Sequence, residues 1–424
     1  MKRKPMKKLI ALILSLVMLA TMFTVNFAVV AQETAIENDV NGDGKFNTLD
    51  ALIVLKHVAK IEILTDAQLK IADFNKDGKI NTLDSLGMLK KIVGIEEPNY
   101  VTDPLVTGDF IQPWYYQEFS EEKWDSHMDM LLSAGIDTLI LQGTVQRSDN
   151  DLFEYSMYPS NYIESLPSST KESGYYSADQ AVEMALKAAK KKGVKIFIGL
   201  NDSGSWWDEN KQKNPQWIKK DVELAGTVAK EIYDLYYDEY KESFAGWYFV
   251  HEMYTQKNNL EDSWISILNQ TIEKLNEIDK SIPLCLSPFF SAYYTTAQKI
   301  TPKDAGAMWD KIIKGVNFRE GDIFSPQDSY GGGERTLEYL DETFSYFRKT
   351  IDEKGNMKFW INCENFTNDY GSASISRFTK QLKIAAKYAD NIITFSYSHY
   401  YDPTYKNSKY DKEYKKYRKS ILGE

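Results

Sequence analysis

The sequence predicts a chain in two parts, a small all-α domain followed by an α/β domain of the (β/α)8 barrel class. Two observations lead to this prediction. A 12-residue segment that begins at residue 39 recurs 34 positions later, which indicates a small duplicated unit. Beyond residue 104, eight short apolar runs alternate with amphipathic segments, which is the pattern of a parallel barrel surrounded by helices.

The chain opens with a segment that has the three parts of a secretory signal. An apolar stretch reaches to about residue 22, and the small residues Val29 and Ala31 lie at the expected cleavage site. The basic residues that precede the stretch are Lys2, Arg3, Lys4, Lys7 and Lys8. We expect residues 1–31 to be a removed signal peptide, so that the protein is secreted and extracellular. A retained anchor is the alternative, but Thr21 and Thr24 interrupt the apolar stretch before it reaches the length of a span.

The chain is acidic, which excludes some classes of partner. It carries 61 acidic and 51 basic residues, and five of the basic residues belong to the signal segment. An acidic surface is repelled by phosphate backbones and by anionic lipids. We therefore expect no nucleic-acid partner and no membrane in the mature form. We also expect a monomer apart from any scaffold that the protein joins.

The two copies of the repeated segment have the ligand spacing of calcium-binding loops. Residues 39–50 read DVNGDGKFNTLD and residues 73–84 read DFNKDGKINTLD, with 9 of 12 positions identical. The acidic and amide residues at positions 1, 3, 5, 9 and 12, with glycine at 6, can surround Ca²⁺ with oxygen atoms. The predicted ligands, with a backbone carbonyl from each lysine, are Asp39, Asn41, Asp43, Lys45, Asn47, Asp50, Asp73, Asn75, Asp77, Lys79, Asn81 and Asp84. One copy alone could be a solvated turn, but two copies in register favour two bound Ca²⁺ ions.

An apolar-periodic helical pattern follows each loop, with Leu52 and Leu86 at matching positions. Paired loop-and-helix repeats in a secreted chain resemble the type I dockerin family over residues 38–97. The resemblance implies that a cohesin on a cellulosome scaffold is the partner, which places the protein in a cellulosome. It also implies that loop positions 10 and 11 contact the cohesin, and these are Thr48, Leu49, Thr82 and Leu83. A calcium buffer is the alternative function.

After a linker at residues 98–104, residues 105–424 are predicted to form the barrel. The predicted strands are 106–111, 138–142, 195–200, 244–250, 283–287, 322–325, 358–362 and 391–395. Strands that are buried on both faces are apolar throughout, as KIFIGL and NIITF are. Helical patterns lie at 178–192, 222–240, 264–278, 336–353 and 375–388. A long insert, residues 143–176, is expected to shape one wall of a cleft.

In a parallel barrel, the residues just past the carboxyl end of each strand face the ligand. Two of these are Glu252, after the fourth strand in GWYFVHE, and Glu364, after the seventh strand in FWINCE. Glycoside hydrolysis needs two opposed carboxyl groups, so this pair is predicted to be catalytic, without a cofactor in the barrel. Predicted substrate-binding residues are Gln112, Trp114, Gln142, Asn201, Trp206, Trp207, His251, Asp328, Tyr397 and His399.

This arrangement resembles the clan A glycoside hydrolases. The resemblance implies that Glu252 is the acid/base and Glu364 the nucleophile of a retaining enzyme that acts on a polysaccharide. His251 departs from the clan, whose members usually carry asparagine before the acid/base. The strings IQPW, GWYFVHE, SPQDS and INCENF also resemble the secreted barrels grouped as domain of unknown function 4434, which implies no particular substrate.

Several of these residues have a purely structural alternative. A glutamate at a strand end can be a surface acid, and a pair of adjacent tryptophans such as Trp206 and Trp207 can lie in the core. Asp328 can instead be the second carboxylate of an inverting pair. The whole barrel can bind carbohydrate without cleaving it, or can be a structural module of the scaffold, because a fold does not fix a function.

Overall fold

The computed structural model describes residues 36–74, 78–94, 100–255, 259–290, 300–332 and 336–424. The chain divides into two compact units, residues 1–99 and residues 100–424. The predicted signal peptide and the predicted ligands Asn75 and Asp77 lie outside the described residues. Across the ranges that are described, no helix is long and apolar enough to cross a membrane.

The described residues of the first unit form helices α1 (Thr48–Val58), α2 (Asp66–Ala72) and α3 (Thr82–Ile92). Helices α1 and α3 begin in the same way, because an asparagine side chain caps each one and an aspartate three residues later binds the backbone N–H of the cap residue. The two helices and the loops enclose a small core of Val40, Ala51, Val54, Leu64, Ala72 and Met88. The sequence repeat therefore corresponds to two equivalent loop-and-helix halves.

The strands of the second unit are β1 (Gly108–Ile111), β2 (Thr138–Leu141), β3 (Val145–Arg147), β4 (Phe153–Ser156), β5 (Lys171–Ser177), β6 (Lys195–Gly199), β7 (Asn201–Ser203), β8 (Phe244–Phe249), β9 (Leu284–Leu286), β10 (Ile323–Phe324), β11 (Lys358–Glu364) and β12 (Asn391–Phe395). A closed barrel runs in the order β1-β12-β11-β10-β9-β8-β6-β2, and its neighbouring strands are parallel. The predicted (β/α)8 fold class is confirmed.

Helices surround the barrel, and they are α4 (Pro113–Tyr116), α5 (Glu121–Ser133), α6 (Asn161–Ser165), α7 (Ala181–Lys192), α8 (Glu209–Gln212), α9 (Pro215–Tyr240), α10 (Glu261–Asp279), α11 (Pro302–Gly315), α12 (Leu337–Lys354), α13 (Ile375–Ala385), α14 (Tyr397–Tyr400) and α15 (Ser408–Leu422). Glycine ends helices α7 and α12, since Gly193 after α7 has φ 77° and Gly355 after α12 has φ 79°. Both turns direct the chain into the next barrel strand.

Side chains fill the inside of the barrel, so it is a packed core and not a pore. The residues of this inner cluster are Phe110, Ile140, Phe197, Tyr248, Val250, Cys285, Ile323, Trp360 and Ile393. A larger apolar cluster lies between the strands and the surrounding helices. A ligand must therefore bind at an end of the barrel, and we call the end formed by the carboxyl termini of the strands the mouth.

The insert after β2 folds into a second sheet that the sequence patterns did not reveal. Strands β3, β4 and β5 of the insert join β7 in a four-stranded sheet of order β5-β4-β3-β7. Strand β3 follows β2 closely, and β7 follows β6 after a single residue. Because both connections leave the carboxyl ends of barrel strands, the small sheet is attached at the mouth.

Candidate active site

Glu252 lies just past β8 and is half-buried. Gln327 bridges two neighbouring strand ends, because its Nε2 donates to Glu252 Oε1 at 3.2 Å and to the carbonyl of Ser287 at 3.0 Å. Burial raises the pKa of Glu252 and the charge of Asp202 raises it further, while the Gln327 hydrogen bond opposes both. A carboxyl group with a raised pKa is suited to carry a proton close to neutral pH.

Glu364 is the last residue of β11 and is buried. Its Oε2 accepts the backbone N–H of Gly331 at 2.7 Å, and a Cβ at position 331 would lie 2.7 Å from that same oxygen, so a larger residue there would displace the Glu364 carboxyl group. Burial, Asp328 and Glu252 raise the pKa of Glu364 to about 8, against the effects of Gly331 and Arg377. The contribution of Glu252 is the smallest of these effects on the pKa of Glu364.

Asp328 lies behind Glu364 and is fully buried. Its Oδ1 accepts the backbone N–H groups of Tyr330 at 3.0 Å and of Glu364 at 3.2 Å. Its Oδ2 accepts Nε2 of Gln381 at 2.6 Å. Burial raises the pKa of Asp328 as it does that of Glu364, so the two groups resist simultaneous ionisation. Asp328 fixes the backbone beneath the candidate nucleophile, which makes it a positioning residue in this structure.

Arg377 on α13 is a site residue that the sequence reasoning missed. Its Nη2 donates to the carbonyls of Glu364 at 2.8 Å and Phe366 at 2.7 Å, and its Nη1 donates to the carbonyl of Tyr330 at 3.2 Å. The guanidinium therefore ties the end of β11 to the loop after β10. No motif marks it, because it lies on a helix and acts through backbone atoms.

His251 is fully enclosed between two carboxylates directly before Glu252. Its Nε2 lies 2.8 Å from Asp221 Oδ2, and its Nδ1 lies 3.1 Å from Asp202 Oδ1. The imidazole also stacks on Trp206, with ring centroids 4.6 Å apart. Burial alone would lower the pKa of His251, but the two aspartates raise it to about 9. The ring is therefore an imidazolium that donates to both carboxylates.

The carboxylate of Asp221 collects further donors from the neighbouring strands. Arg147 forms an ion pair with it, and Asn201 Nδ2 donates to it at 2.9 Å. Asn201 is therefore buried in this network, where the sequence reasoning expected a substrate contact. Asp202, which the sequence reasoning passed over, keeps 37% of its side chain exposed. The sequence could have pointed to Asp202, because it lies next to Asn201 just past the end of β6.

The predicted tryptophans occupy different environments. Trp206 is 1% exposed, and its Nε1 donates to the carbonyl of Glu252 at 2.8 Å, so it supports the loop that carries the glutamate. Trp207 is 51% exposed and lies beside Tyr254, with ring centroids 5.8 Å apart. Trp114 is 55% exposed. Of the three, Trp114 and Trp207 present indole faces that a sugar ring could cover.

Trp114 rests on residues that follow β1 and β12. Its ring stacks on His399 with centroids 5.0 Å apart, and its Nε1 donates to Gln112 Oε1 at 3.0 Å. His399 Nε2 accepts the backbone N–H of Gln112 at 3.2 Å, and burial lowers the pKa of His399 to about 3. A neutral His399 therefore supports the exposed indole.

Two predicted substrate-binding residues remain. Tyr397 is fully buried, and its hydroxyl donates to Asp411 at 2.8 Å, so the structure places it in the core. Gln142 is half-buried just past β2, and its backbone N–H donates to the carbonyl of Ile111 at 3.0 Å. Its side-chain oxygen has no protein partner among the described residues.

The first calcium loop forms a tight turn around the side chain of Asp39. Asp39 Oδ1 accepts the N–H of Gly42 at 2.8 Å, and Asp39 Oδ2 accepts that of Gly44 at 2.8 Å. Asp43 and Asn41 are joined through the Asp43 N–H and Asn41 Oδ1 at 2.8 Å. Gly44, at loop position 6, has φ 79°, which is the conformation that the sharp turn requires. These oxygen donors fit a hard cation such as Ca²⁺.

The second loop is described only in part. Gly78, at its position 6, has φ 79° as in the first loop, and Asp73 Oδ2 accepts its N–H at 3.0 Å. Within the described residues, no group of three or more His, Cys, Asp or Glu side chains is placed to hold a metal ion. The carboxylates of the first loop, Asp39, Asp43 and Asp50, are described and do not form such a group, so calcium binding rests on the loop pattern and on the dockerin family.

The predicted cohesin contacts lie in the first turns of α1 and α3. Leu49 is 53% exposed and Leu83 is 41% exposed, although both are large apolar side chains. Thr48 and Thr82 precede them at equivalent positions. The two halves therefore expose the same residue pair, and whether a cohesin contacts these residues stays a prediction.

Comparisons with known protein families connect each unit to a family. The family model of domain of unknown function DUF4434 matches residues 106–407. The chain belongs to this family. The model of the dockerin type I domain matches residues 37–93, so the DUF4434 barrel follows a type I dockerin, which is a calcium-binding domain. The resemblances to a type I dockerin and to DUF4434 are confirmed.

Solved structures with the same barrel fold include two proteins described as carbohydrate-active. A candidate α-L-fucosidase from Bacteroides thetaiotaomicron is 24% identical, with a TM-score of 0.60, and the match covers 76% of this chain and 97% of that one. An endo-1,4-β-D-mannanase from Thermotoga petrophila is 12% identical, with a TM-score of 0.50, covering 75% and 99%. No curated protein matches this DUF4434 chain.

Proposed function

We propose that this DUF4434 barrel is a glycoside hydrolase that cleaves O-glycosidic bonds of a polysaccharide with retention of configuration. The observation that carries the proposal is the pair Glu252 and Glu364 at the ends of β8 and β11. Both have raised pKa values, and the charge of Glu252 acts on Glu364. Glycoside hydrolysis uses two carboxyl groups that flank the scissile bond. The fold shared with the fucosidase and mannanase structures supports the proposal.

In this mechanism Glu364 attacks the anomeric carbon while Glu252 protonates the departing glycosidic oxygen. Glu252, now ionised, then takes a proton from water, and the water oxygen displaces Glu364 from the sugar. The N–H of Gly331 and the charge of Arg377 favour the ionised Glu364 that the first step needs. The mechanism needs one of the two glutamates protonated and the other ionised. Activity should therefore end above about pH 8, where the pair loses its last proton.

The dockerin supplies the proposed location. A type I dockerin implies a cohesin partner and an extracellular cellulosome, and the amino-terminal segment supplies a signal for secretion. Bound Ca²⁺ would be held by the oxygen donors of the two loops and would stabilise the small first unit. The barrel would then act on polysaccharide beside other enzymes of the same scaffold.

A second candidate is a barrel that binds carbohydrate without cleaving it. The pKa of about 8 for Glu364 favours this reading, because a nucleophile that is protonated at neutral pH attacks poorly. A hydrolysis screen separates the two functions, using plant polysaccharides and aryl glycosides with the wild-type protein, Glu252→Gln and Glu364→Gln. We expect hydrolysis by the wild-type protein alone. Glycan binding without hydrolysis by the wild-type protein would establish the second candidate.

A further inference from the structure

The strand pairing of the small sheet places four side chains in one line. Asp202 on β7 pairs with Gln146 on β3, Gln146 pairs with Tyr155 on β4, and Tyr155 pairs with Tyr176 on β5. Paired residues of neighbouring strands project to the same face of a sheet. With strands spaced by roughly 4.8 Å, this line is about 14 Å long. We call these four residues the sheet row.

The sheet row lies on the open face of the small sheet. Arg147 and Asn201 project to the opposite face, where both bind Asp221 of helix α9. On the face of the row, Tyr176 is 41% exposed and 37% of the Asp202 side chain is exposed. Gln146 and Tyr155 are half-buried between them. The two ends of the row are therefore open to solvent, while Tyr155 also packs against the main apolar cluster.

The inner end of the sheet row reaches the candidate catalytic pair. Asp202 Oδ1 lies 3.1 Å from Nδ1 of His251, the residue directly before Glu252. The negative charge of Asp202 also acts on Glu252, where it raises the pKa of the carboxyl group. Because the imidazolium of His251 fixes Oδ1, the other carboxylate oxygen of Asp202 is left to accept a hydrogen bond from a ligand hydroxyl.

The outer end of the sheet row is aromatic. The rings of Tyr155 and Tyr176 lie 5.6 Å apart at 32° to each other. The hydroxyl of Tyr176 donates to Gln117, which lies just past α4 in the connection that leaves β1. The connection after β1 and the end of β8 both belong to the mouth. The row therefore runs along the mouth from the side of Glu252 to the connection after β1.

The row combines the groups that a sugar chain needs. A carboxylate and an amide accept and donate hydrogen bonds to hydroxyls, and tyrosine rings present rigid apolar faces to the C–H side of a pyranose ring. The row contains no cationic side chain that would favour an acidic chain. A surface that continues from the reaction centre over about 14 Å contacts more than one sugar residue.

We propose that Asp202, Gln146, Tyr155 and Tyr176 form consecutive subsites that bind the sugar chain next to the scissile bond. The identity of the ligand rests on the proposed glycosidase function. Asp202 takes hydroxyls of the sugar nearest Glu252, and the two tyrosines stack on sugars further along. The substrate is then a neutral chain of several sugars, and a single terminal sugar uses only the inner part of the site.

The test measures how glycan affinity depends on chain length. We use the full-length protein in the presence of Ca²⁺, with Glu252→Gln to prevent turnover. Isothermal titration calorimetry measures its affinity for gluco-, manno- and xylo-oligosaccharides of two to six sugars. We expect Tyr176→Ala to weaken hexasaccharide binding about fivefold more than disaccharide binding, because it removes one stacking face. Tyr162→Ala is the matched control, since Tyr162 is also 41% exposed but lies on α6 outside the row. We expect it to leave both affinities unchanged.

Three outcomes would contradict the proposal that the sheet row binds the sugar chain. They are equal weakening of all chain lengths by Tyr176→Ala, no weakening at all, and no binding of any oligosaccharide of the three series. Hydrolysis by the wild-type protein is measured separately on the same oligosaccharides. Length-dependent binding without hydrolysis rejects the proposed function and keeps the row as a binding site. If the wild-type protein hydrolyses the oligosaccharides but Tyr176→Ala does not change how affinity depends on chain length, the sheet row is not a binding site and the proposed function stands.

Discussion

Replacing Glu364 by glutamine should stabilise the barrel, and the size of the effect follows from the burial of this carboxyl group. The pKa of Glu364 is raised from its ordinary value of 4.5 to about 8, mainly because burial disfavours the charged form. A folded-state pKa above the unfolded value means that the contribution to stability is complete below about pH 4.5 and is lost as the pH rises to about 8. The wild-type protein therefore loses stability over this range.

Each pKa unit corresponds to 1.36 kcal/mol, so the loss at pH 8 is roughly 3 to 5 kcal/mol. Glutamine has nearly the same shape and is neutral at every pH, and its side-chain oxygen can still accept the N–H of Gly331. We therefore expect Glu364→Gln to be more stable than the wild-type protein by roughly 3 kcal/mol at pH 8 and equally stable at pH 4.5.

Tryptophan fluorescence during urea unfolding at the two pH values measures this difference. The chain has 9 tryptophans, and they all follow residue 100, so the signal reports the barrel and not the dockerin. Glu320→Gln is the control, because Glu320 is exposed and its replacement should change stability little at either pH. A Glu364→Gln protein that is less stable at pH 8, or equally stabilised at both pH values, would refute the reasoning.

Three further predictions concern the catalytic pH range, His251 and calcium. The rate of hydrolysis should fall above about pH 8, and Asp328→Asn should move this limb to lower pH, because it removes a charge that raises the pKa of Glu364. His251→Asn should destabilise the barrel by about 3 kcal/mol in urea unfolding, since it leaves Asp221 and Asp202 without the imidazolium between them. Excess EDTA should abolish binding to a panel of type I cohesins and leave tryptophan-detected unfolding of the barrel unchanged.

Each of these predictions has an outcome that contradicts it. An alkaline limb that stays in place in Asp328→Asn would mean that Asp328 does not act on the titration of Glu364. Unchanged stability of His251→Asn would show that the buried imidazolium contributes nothing net to the fold. Cohesin binding that persists in EDTA would show that the dockerin does not need calcium to bind its partner.

The barrel could be predicted from the sequence because its strands are buried on both faces. Runs such as NIITF (Asn391–Phe395) and KIFIG (Lys195–Gly199) are mostly apolar, and helical periodicity separates them. The small sheet could not be predicted in this way. Strand β5 reads KESGYYS and has little apolar character, and its place depends on pairing with distant strands.

The candidate site shows the same division between local and distant information. The rule that strand ends face the ligand led to Glu252 and Glu364. The same rule could not show that the His251 side chain forms hydrogen bonds with Asp202 and Asp221, because those partners lie 49 and 30 residues away in sequence. Nor could it separate Trp206 from its neighbour, since their different burial depends on packing against other elements.

Trapping of the covalent intermediate tests the central claim most directly. The wild-type protein is incubated with an activated 2-deoxy-2-fluoroglycoside of the sugar that the hydrolysis screen identifies, and the labelled peptide is located by mass spectrometry. We expect one sugar per chain, attached to Glu364, and no label in Glu364→Gln. A label on another residue, or a product of inverted configuration in NMR spectra, would contradict the account.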